Sequence, residues 1–128
     1  MQDSLPTDPE RSNMANPVVH FEIQTNDSEQ VQQFYADAFG WKVDANNPMN
    51  YGMVPADEGG IGGGICPSMS GANLVTFYIQ SDDISAHLDK IEKLGGKTVM
   101  PKMDIPDGPT IALFADPQGN TVGLVSGM

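Results

Sequence analysis

Val18–Asp27 reads VVHFEIQTND, and Leu74–Asp83 reads LVTFYIQSDD. The offset between the two is constant, so Val19, Phe21, Ile23, Gln24, Asp27, Gly40 and Val43 reappear as Val75, Phe77, Ile79, Gln80, Asp83, Gly96 and Val99. An unbroken register of this kind marks a duplicated structural unit. Within each copy the residues alternate: Val19, Phe21 and Ile23 oppose His20, Glu22 and Gln24, while Val75, Phe77 and Ile79 oppose Thr76, Tyr78 and Gln80. A period of two is that of a half-buried strand.

Outward from each strand comes a helix start, Asn26-Asp27-Ser28 or Asp82-Asp83, where a short carboxylate accepts from free N–H groups of the first turn. Val31, Phe34, Tyr35 and Ala38 form the apolar stripe of the first helix, and Ile84, Leu88, Ile91 and Leu94 that of the second. Gly40 and Gly95-Gly96 end them. Three short strands follow each helix: Trp41–Ala45, Tyr51–Pro55 and Ile61–Cys66, then Lys97–Met103, Thr110–Ala115 and Thr121–Val125. The expected fold is α+β, with two βαβββ modules at 17–67 and 73–126 inside one domain of residues 17–128. Asp57 and Gly60 match Asp116 and Gly119 in the last turns, and Pro67–Asn73 links the modules.

A chain of 128 residues supports one core rather than two independent ones. Residues 1–16 are polar and poor in apolar side chains, which predicts a flexible extension. The net charge of −11 argues against nucleic acid or an anionic membrane as partner, since both require a basic patch. No apolar run is long enough to span a bilayer. The single Cys66 excludes an internal disulfide and fits a reducing, cytoplasmic setting.

If the helices cover the Val/Phe/Ile face, then His20, Glu22, Gln24, Thr76, Tyr78 and Gln80 line the opposite, concave face, which becomes the candidate pocket. The competing reading is a face that simply meets water. His20 and Glu22 share one face at a strand spacing of about 6.5 Å, as a metal-ligand or acid–base pair would, although a hydrogen-bonded structural pair is the commoner outcome. The run GGIGGGI from Gly59 lacks the ending of a phosphate loop and reads as a tight hairpin with close backbone approach. His87 has no matching ligand set, and Cys66 reads as a small packed residue. Met49, Met53, Met69, Met100 and Met103 gather near the later strands, as pocket rim or core filler.

Together the βαβββ repeat, the string HFEIQTNDSEQVQQFYADAFGW (His20–Trp41) and the closing FADPQGNTVGLV (Phe114–Val125) resemble the vicinal oxygen chelate superfamily, which includes glyoxalase I, extradiol dioxygenases, methylmalonyl-CoA epimerase and bleomycin resistance proteins. The resemblance implies a curved, partly open eight-stranded sheet with helices outside, and metal ligands on the first and last strands of each module. The four matched positions here are His20, Gly64, Thr76 and Gly123. Glycine has no side-chain donor and threonine is a poor ligand, so no catalytic metal or other cofactor is expected. The expectation is a small-molecule binding protein anchored by His20, Glu22, Thr76 and Tyr78, with Trp41, Met53 and Phe114 as walls and space above the two glycines. The alternatives are a metal-dependent lyase, isomerase or dioxygenase using a divalent ion on His20 and Glu22, or metal-free acid–base catalysis by that couple. A homodimer is expected from unpaired strand edges at the module boundaries.

Overall fold

The repeated stretches become β1 (Val18–Thr25) and β4 (Leu74–Gln80), which lie antiparallel at the centre of one sheet, with Phe21 opposite Phe77 and Glu22 opposite Thr76. A computed structural model describes residues 15–57 and 59–127 of the chain. After β1 come α1 (Ser28–Phe39), β2 (Gly52–Val54) and β3 (Gly62–Pro67); after β4 come α2 (Ile84–Lys93), β5 (Lys97–Asp104), β6 (Thr110–Ala115) and β7 (Thr121–Ser126). The sheet order is β2-β3-β1-β4-β7-β6-β5, so in each half the last strand returns parallel to the first.

Matched sequence positions perform matched tasks. Asp27 and Asp83 each cap a helix, accepting from the backbone N–H groups of Gln30 and Ala86. Asp57 and Asp116 carbonyls accept from Gly60 and Gly119 at 2.8 and 2.9 Å. Gly40 takes a left-handed φ of 74°, which releases the chain from α1 without steric cost.

Three expectations are corrected. Among the described residues the sheet has seven strands rather than eight, because Trp41–Ala45 is reduced to a single bridge between Asp44 and Met53. Trp41 stacks on Tyr35 at 5.0 Å and tilts onto Phe21 at 5.4 Å, and this segment packs rather than pairs. The α1 stripe is turned: Phe34 is exposed while Gln32 faces the sheet, its amide donating to the Ile65 carbonyl at 2.8 Å. Gln32 has room to reach that carbonyl because Gly52 has no side chain; a Cβ there would meet the Gln32 amide. Gly62–Gly64 lie in β3, the returning arm of an antiparallel β2–β3 hairpin, where a Cβ at Gly62 would meet the Val54 carbonyl. The module boundary holds no free edge, since β1 and β4 pair there, and the true edges are a three-residue β2 and a β5 with register shifts, Pro101 and two lysines. Short, irregular and charged edges resist strand addition.

Of the expected flexible extension, residues 1–14 lie outside the described residues. Asn16 is tied in, donating from its side chain to the Gln80 carbonyl at 3.0 Å.

The core has two layers. On the helix face Ile84 and Leu88 of α2 pack on Ala112 and Leu124, with Ile79 and Phe114 beside them. On the other face Tyr78, Ile111, Leu113 and Val125 form a second apolar cluster, flanked by Met100 and Ile105.

Candidate functional site

Glu22 lies at the middle of the sheet on the face away from the helices, with Gly64 on one side and Thr76 on the other. The next row holds His20 between Gly62 and Tyr78, and Tyr78 pairs in turn with Gly123. Alternation along β1 therefore delivers His20, Glu22 and Gln24 to one face, and all three are buried.

Glu22 is 5 % exposed, and its described side-chain partners are neutral donors. The Tyr51 hydroxyl donates to Oε1 at 3.0 Å, while the Tyr78 hydroxyl and the Gln24 amide donate to Oε2 at 3.0 and 2.9 Å. A buried acidic group is tolerated when donors replace water, and here three do. Tyr51 also meets His20 Nε2 at 2.7 Å. With the Tyr51 proton directed at Glu22, Nε2 must be the donor in that contact, which assigns the neutral ring the Nε2–H tautomer and leaves Nδ1 as its acceptor.

Burial is the first cause of the shifts at His20, Tyr51, Tyr78 and Cys66. It lowers the His20 pKa from its ordinary value of 6.5 despite the opposing pull of Glu22, so the ring is held neutral. Burial, then Glu22, raises the Tyr51 and Tyr78 hydroxyls far above the phenol range, so both remain donors. Cys66, on the same face, is pushed up to about 12 by burial and by Glu22, which makes its thiol unreactive.

Two glycines shape the arrangement. A Cβ at Gly64 would fall within the Tyr51 ring, and one at Gly123 would meet the Tyr78 ring. The space expected above these glycines is therefore taken by the chain's own aromatic rings, because a glycine is what lets a ring lie flat on a strand. Tyr51 is fixed from behind by Asn47, whose side chain accepts from the Tyr51 N–H at 2.9 Å and donates to its carbonyl at 2.7 Å.

Of the residues named from sequence, His20, Glu22 and Tyr78 converge. Thr76 adjoins Glu22, but its hydroxyl donates to the Thr121 carbonyl at 2.6 Å. Met53 stands opposite Gly64 and is half exposed at the rim. Trp41 and Phe114 belong to the other face, Trp41 in the stack with Tyr35 and Phe21, and Phe114 against the α2 cluster. As walls of this site they are corrected: Phe114 pairs with Val122, in register with the helix-facing residues. His87 is structural, its Nδ1 lying 2.6 Å from the buried Ser81 hydroxyl. Tyr51 was hidden in an expected strand. Its one sequence signal is a large ring opening a strand that faces a glycine.

A divalent metal of the kind that the resemblance implies does not fit these residues. Rings lie over Gly64 and Gly123, the Thr76 hydroxyl is committed, and no three His, Cys, Asp or Glu side chains gather as a metal-binding group among the described residues.

A "Putative glyoxylase CFP32" of Mycobacterium bovis is 33% identical over 113 residues, a match covering 80% of this chain and 42% of that protein. The chain thus spans less than half the length of that relative. A "Glyoxylase-like domain-containing protein" of Didymella fabae is 35% identical over 115 residues, covering 78% of this chain and 85% of that protein. Among solved structures, methylmalonyl-CoA epimerase from Mycobacterium tuberculosis superposes with a TM-score of 0.66 at 13% identity, covering 98% of this chain and 93% of that one. A hypothetical protein from Bacillus halodurans C-125 gives 0.64 at 13% identity, covering 88% and 95%. At such identities the structures speak for the fold alone. The model of the Glyoxalase/Bleomycin resistance protein/Dioxygenase superfamily matches residues 18–124, and with the repeat, the sheet order and these relatives it establishes that the chain belongs to that superfamily.

Proposed function

We propose that the chain is a metal-free small-molecule binding protein of the glyoxalase/bleomycin-resistance type, with its polar anchor at His20, Tyr51, Glu22 and Tyr78. The observation that carries this reading is the hydrogen bonding of Glu22, an acidic group served by two tyrosines and a glutamine. As a carboxylate it keeps a negative potential in a low-dielectric site, which favours a cationic or donor-rich ligand. The rim supports the same reading. Met53 on β2 and Met103 on β5 are half exposed and in register with residues of this face, and thioethers adapt to flat organic surfaces.

Calorimetric titration with benzyltrimethylammonium and its uncharged carbon isostere tests the proposal. Expected is saturable binding of the cation, weaker binding of the isostere, and loss of that preference in Glu22→Gln. Equal affinity for the two probes, or none for either, would overturn it. Stoichiometric Zn, Ni, Mn or Fe in chelator-free protein, lost in His20→Ala, would instead establish the metal-dependent reading.

His20 favours a second reading, metal-free acid–base chemistry. Its ring is neutral and oriented by Tyr51, with Nδ1 as the acceptor nitrogen. A bell-shaped pH–rate profile that loses one limb in His20→Gln would support it.

A further inference from the structure

The two helices leave part of their face of the sheet open. Here α1 lies on β3 and β1, and α2 on β5, β6 and β7. Between them the helix face of β4 is bare, with Val75 73% and Phe77 40% exposed. Where α2 borders that gap, a cleft of about 370 Å³ opens between the helix and the sheet. Ile79 of β4, Phe114 of β6 and Leu124 of β7 form its floor, and Asn16, tied to the Gln80 carbonyl, adds to its lining.

The helix contributes His87, Lys90, Ile91 and Leu94, spaced i, i+3, i+4 and i+7 and therefore on one face. This wall runs against the composition of the chain. The protein carries 17 acidic and 6 basic residues, yet no Asp or Glu among the described residues lines the cleft, while a lysine and one of the two histidines do. Ser81 holds His87 in place: its buried hydroxyl accepts from the Asp83 N–H at 3.2 Å and meets His87 Nδ1 at 2.6 Å. With the hydroxyl proton directed at Nδ1, the ring carries hydrogen on Nε2, a donor on the side away from Ser81. The negative end of the helix dipole is blunted, since the Lys90 and Ile91 carbonyls accept from the Leu94 and Gly96 N–H groups.

We infer that this cleft binds a small amphipathic carboxylate, with its apolar tail on Ile79, Ile91, Phe114 and Leu124 and its head group at His87 and Lys90. Clefts that hold small organic molecules run from about 300 to 1,000 Å³, so this one suits a ligand at the small end, on the order of ten non-hydrogen atoms. The net charge of −11 opposes anions at a distance, but exposed charges are largely screened beyond about 8 Å at physiological ionic strength. The groups on the wall then select the sign of the ligand, and they are basic. Leaving water draws the tail onto the floor, and charge-assisted hydrogen bonds select the head. The cleft lies on the helix face, across the sheet from Glu22, and stands independently of the ligand proposed there.

Titration of the full isotope-labelled chain with octanoate, followed by its amide NMR shifts, decides this. Expected is saturable binding with a Kd below about 1 mM, and the largest shifts at Ile79, Lys90, Leu94 and Phe114. Octanol, which has the same tail without the charge, should bind about 5-fold more weakly or worse. Lys90→Gln, at an exposed position, is expected to weaken octanoate about 10-fold and octanol less than about 2-fold. Leu94→Asp, at a position 70% exposed, sets a carboxylate beside the head group and should also weaken octanoate about 10-fold. Lys42→Gln, exposed and just beyond α1, removes the same charge away from the cleft and should change octanoate binding less than about 2-fold. The amide spectrum shows whether each variant folds, and either cleft variant that does serves the test. No saturation by about 10 mM, largest shifts outside the cleft, octanol binding as tightly as octanoate, or indifference to the cleft variant that folds would each overturn the inference.

Discussion

The two halves of the sheet face away from the helices share a backbone plan and differ in what fills it. Around β1 the filling is polar, with His20, Glu22 and Gln24 joined through Tyr51 into one hydrogen-bonded group. Around β7 and β6 it is hydrocarbon, with Ile111, Leu113 and Val125 packed on Tyr78. Tyr78 belongs to both, its ring lying on Gly123 in the apolar half and its hydroxyl reaching Glu22 in the polar half. The two halves keep matching residues where the strand, the cap and the turn are built, and differ in the residues of the face. One half supplies packing, which allows the other to hold a group as costly as a buried glutamate.

Removing the centre of each half gives the largest expected effects. Glu22→Ala leaves two hydroxyls and an amide without their acceptor, and is expected to destabilise by about 4 kcal/mol. Leu113→Ala opens a cavity and should cost about 3 kcal/mol. Urea denaturation at pH 7.5 measures both. If Glu22→Ala proves the milder change, the polar half is not the tightly organised group described.

The glycines sharpen the comparison at an intermediate scale. A methyl at Gly64 displaces the Tyr51 ring and one at Gly123 displaces that of Tyr78, each expected to cost about 2 kcal/mol. Only Gly64→Ala should also alter His20, because Tyr51 is its hydrogen-bond partner; the His20 imidazole resonances in an NMR titration report this.

Acid should weaken the polar half by a smaller amount. The native His20 pKa lies below that of the unfolded chain, so on acidification the unfolded state takes up this proton first. Its contribution is complete above pH 6.5 and is lost as pH falls from there toward the lowered native value. Thermal melts from pH 7.5 to 5.5 should show that decline, and His20→Gln should show a shallower one.

The smallest effects should be equal in the two halves. Asp27→Ala and Asp83→Ala each remove one helix cap, at about 1 kcal/mol. A large inequality between them would mean that the matched positions no longer carry matched loads.

Residues governed by local rules were legible in the chain. Alternation in Val18–Gln24 and Leu74–Gln80, the two aspartate caps and the paired Asp–Gly turns all appear where expected, since each depends on neighbours within a few positions. His20, Glu22 and Tyr78 were legible as a shared face for the same reason. Tyr51 was not, because its position depends on a loop held by Asn47 and on a glycine in another strand. Trp41 and Phe114 were misplaced because apolar residues after a helix suit either face, and packing chooses between them.

The sequence by itself determined the α+β plan, the face to which each β1 and β4 side chain belongs, and the absence of ligating side chains at positions 64 and 123. Tertiary structure alone decided that tyrosine rings occupy the space over those glycines, that α1 turns Gln32 inward and its aromatics outward, and that the middle of the helix face stays bare. The division has one physical cause. Periodicity and capping are set by covalent neighbours, whereas the filling of space is set by whichever distant group fits.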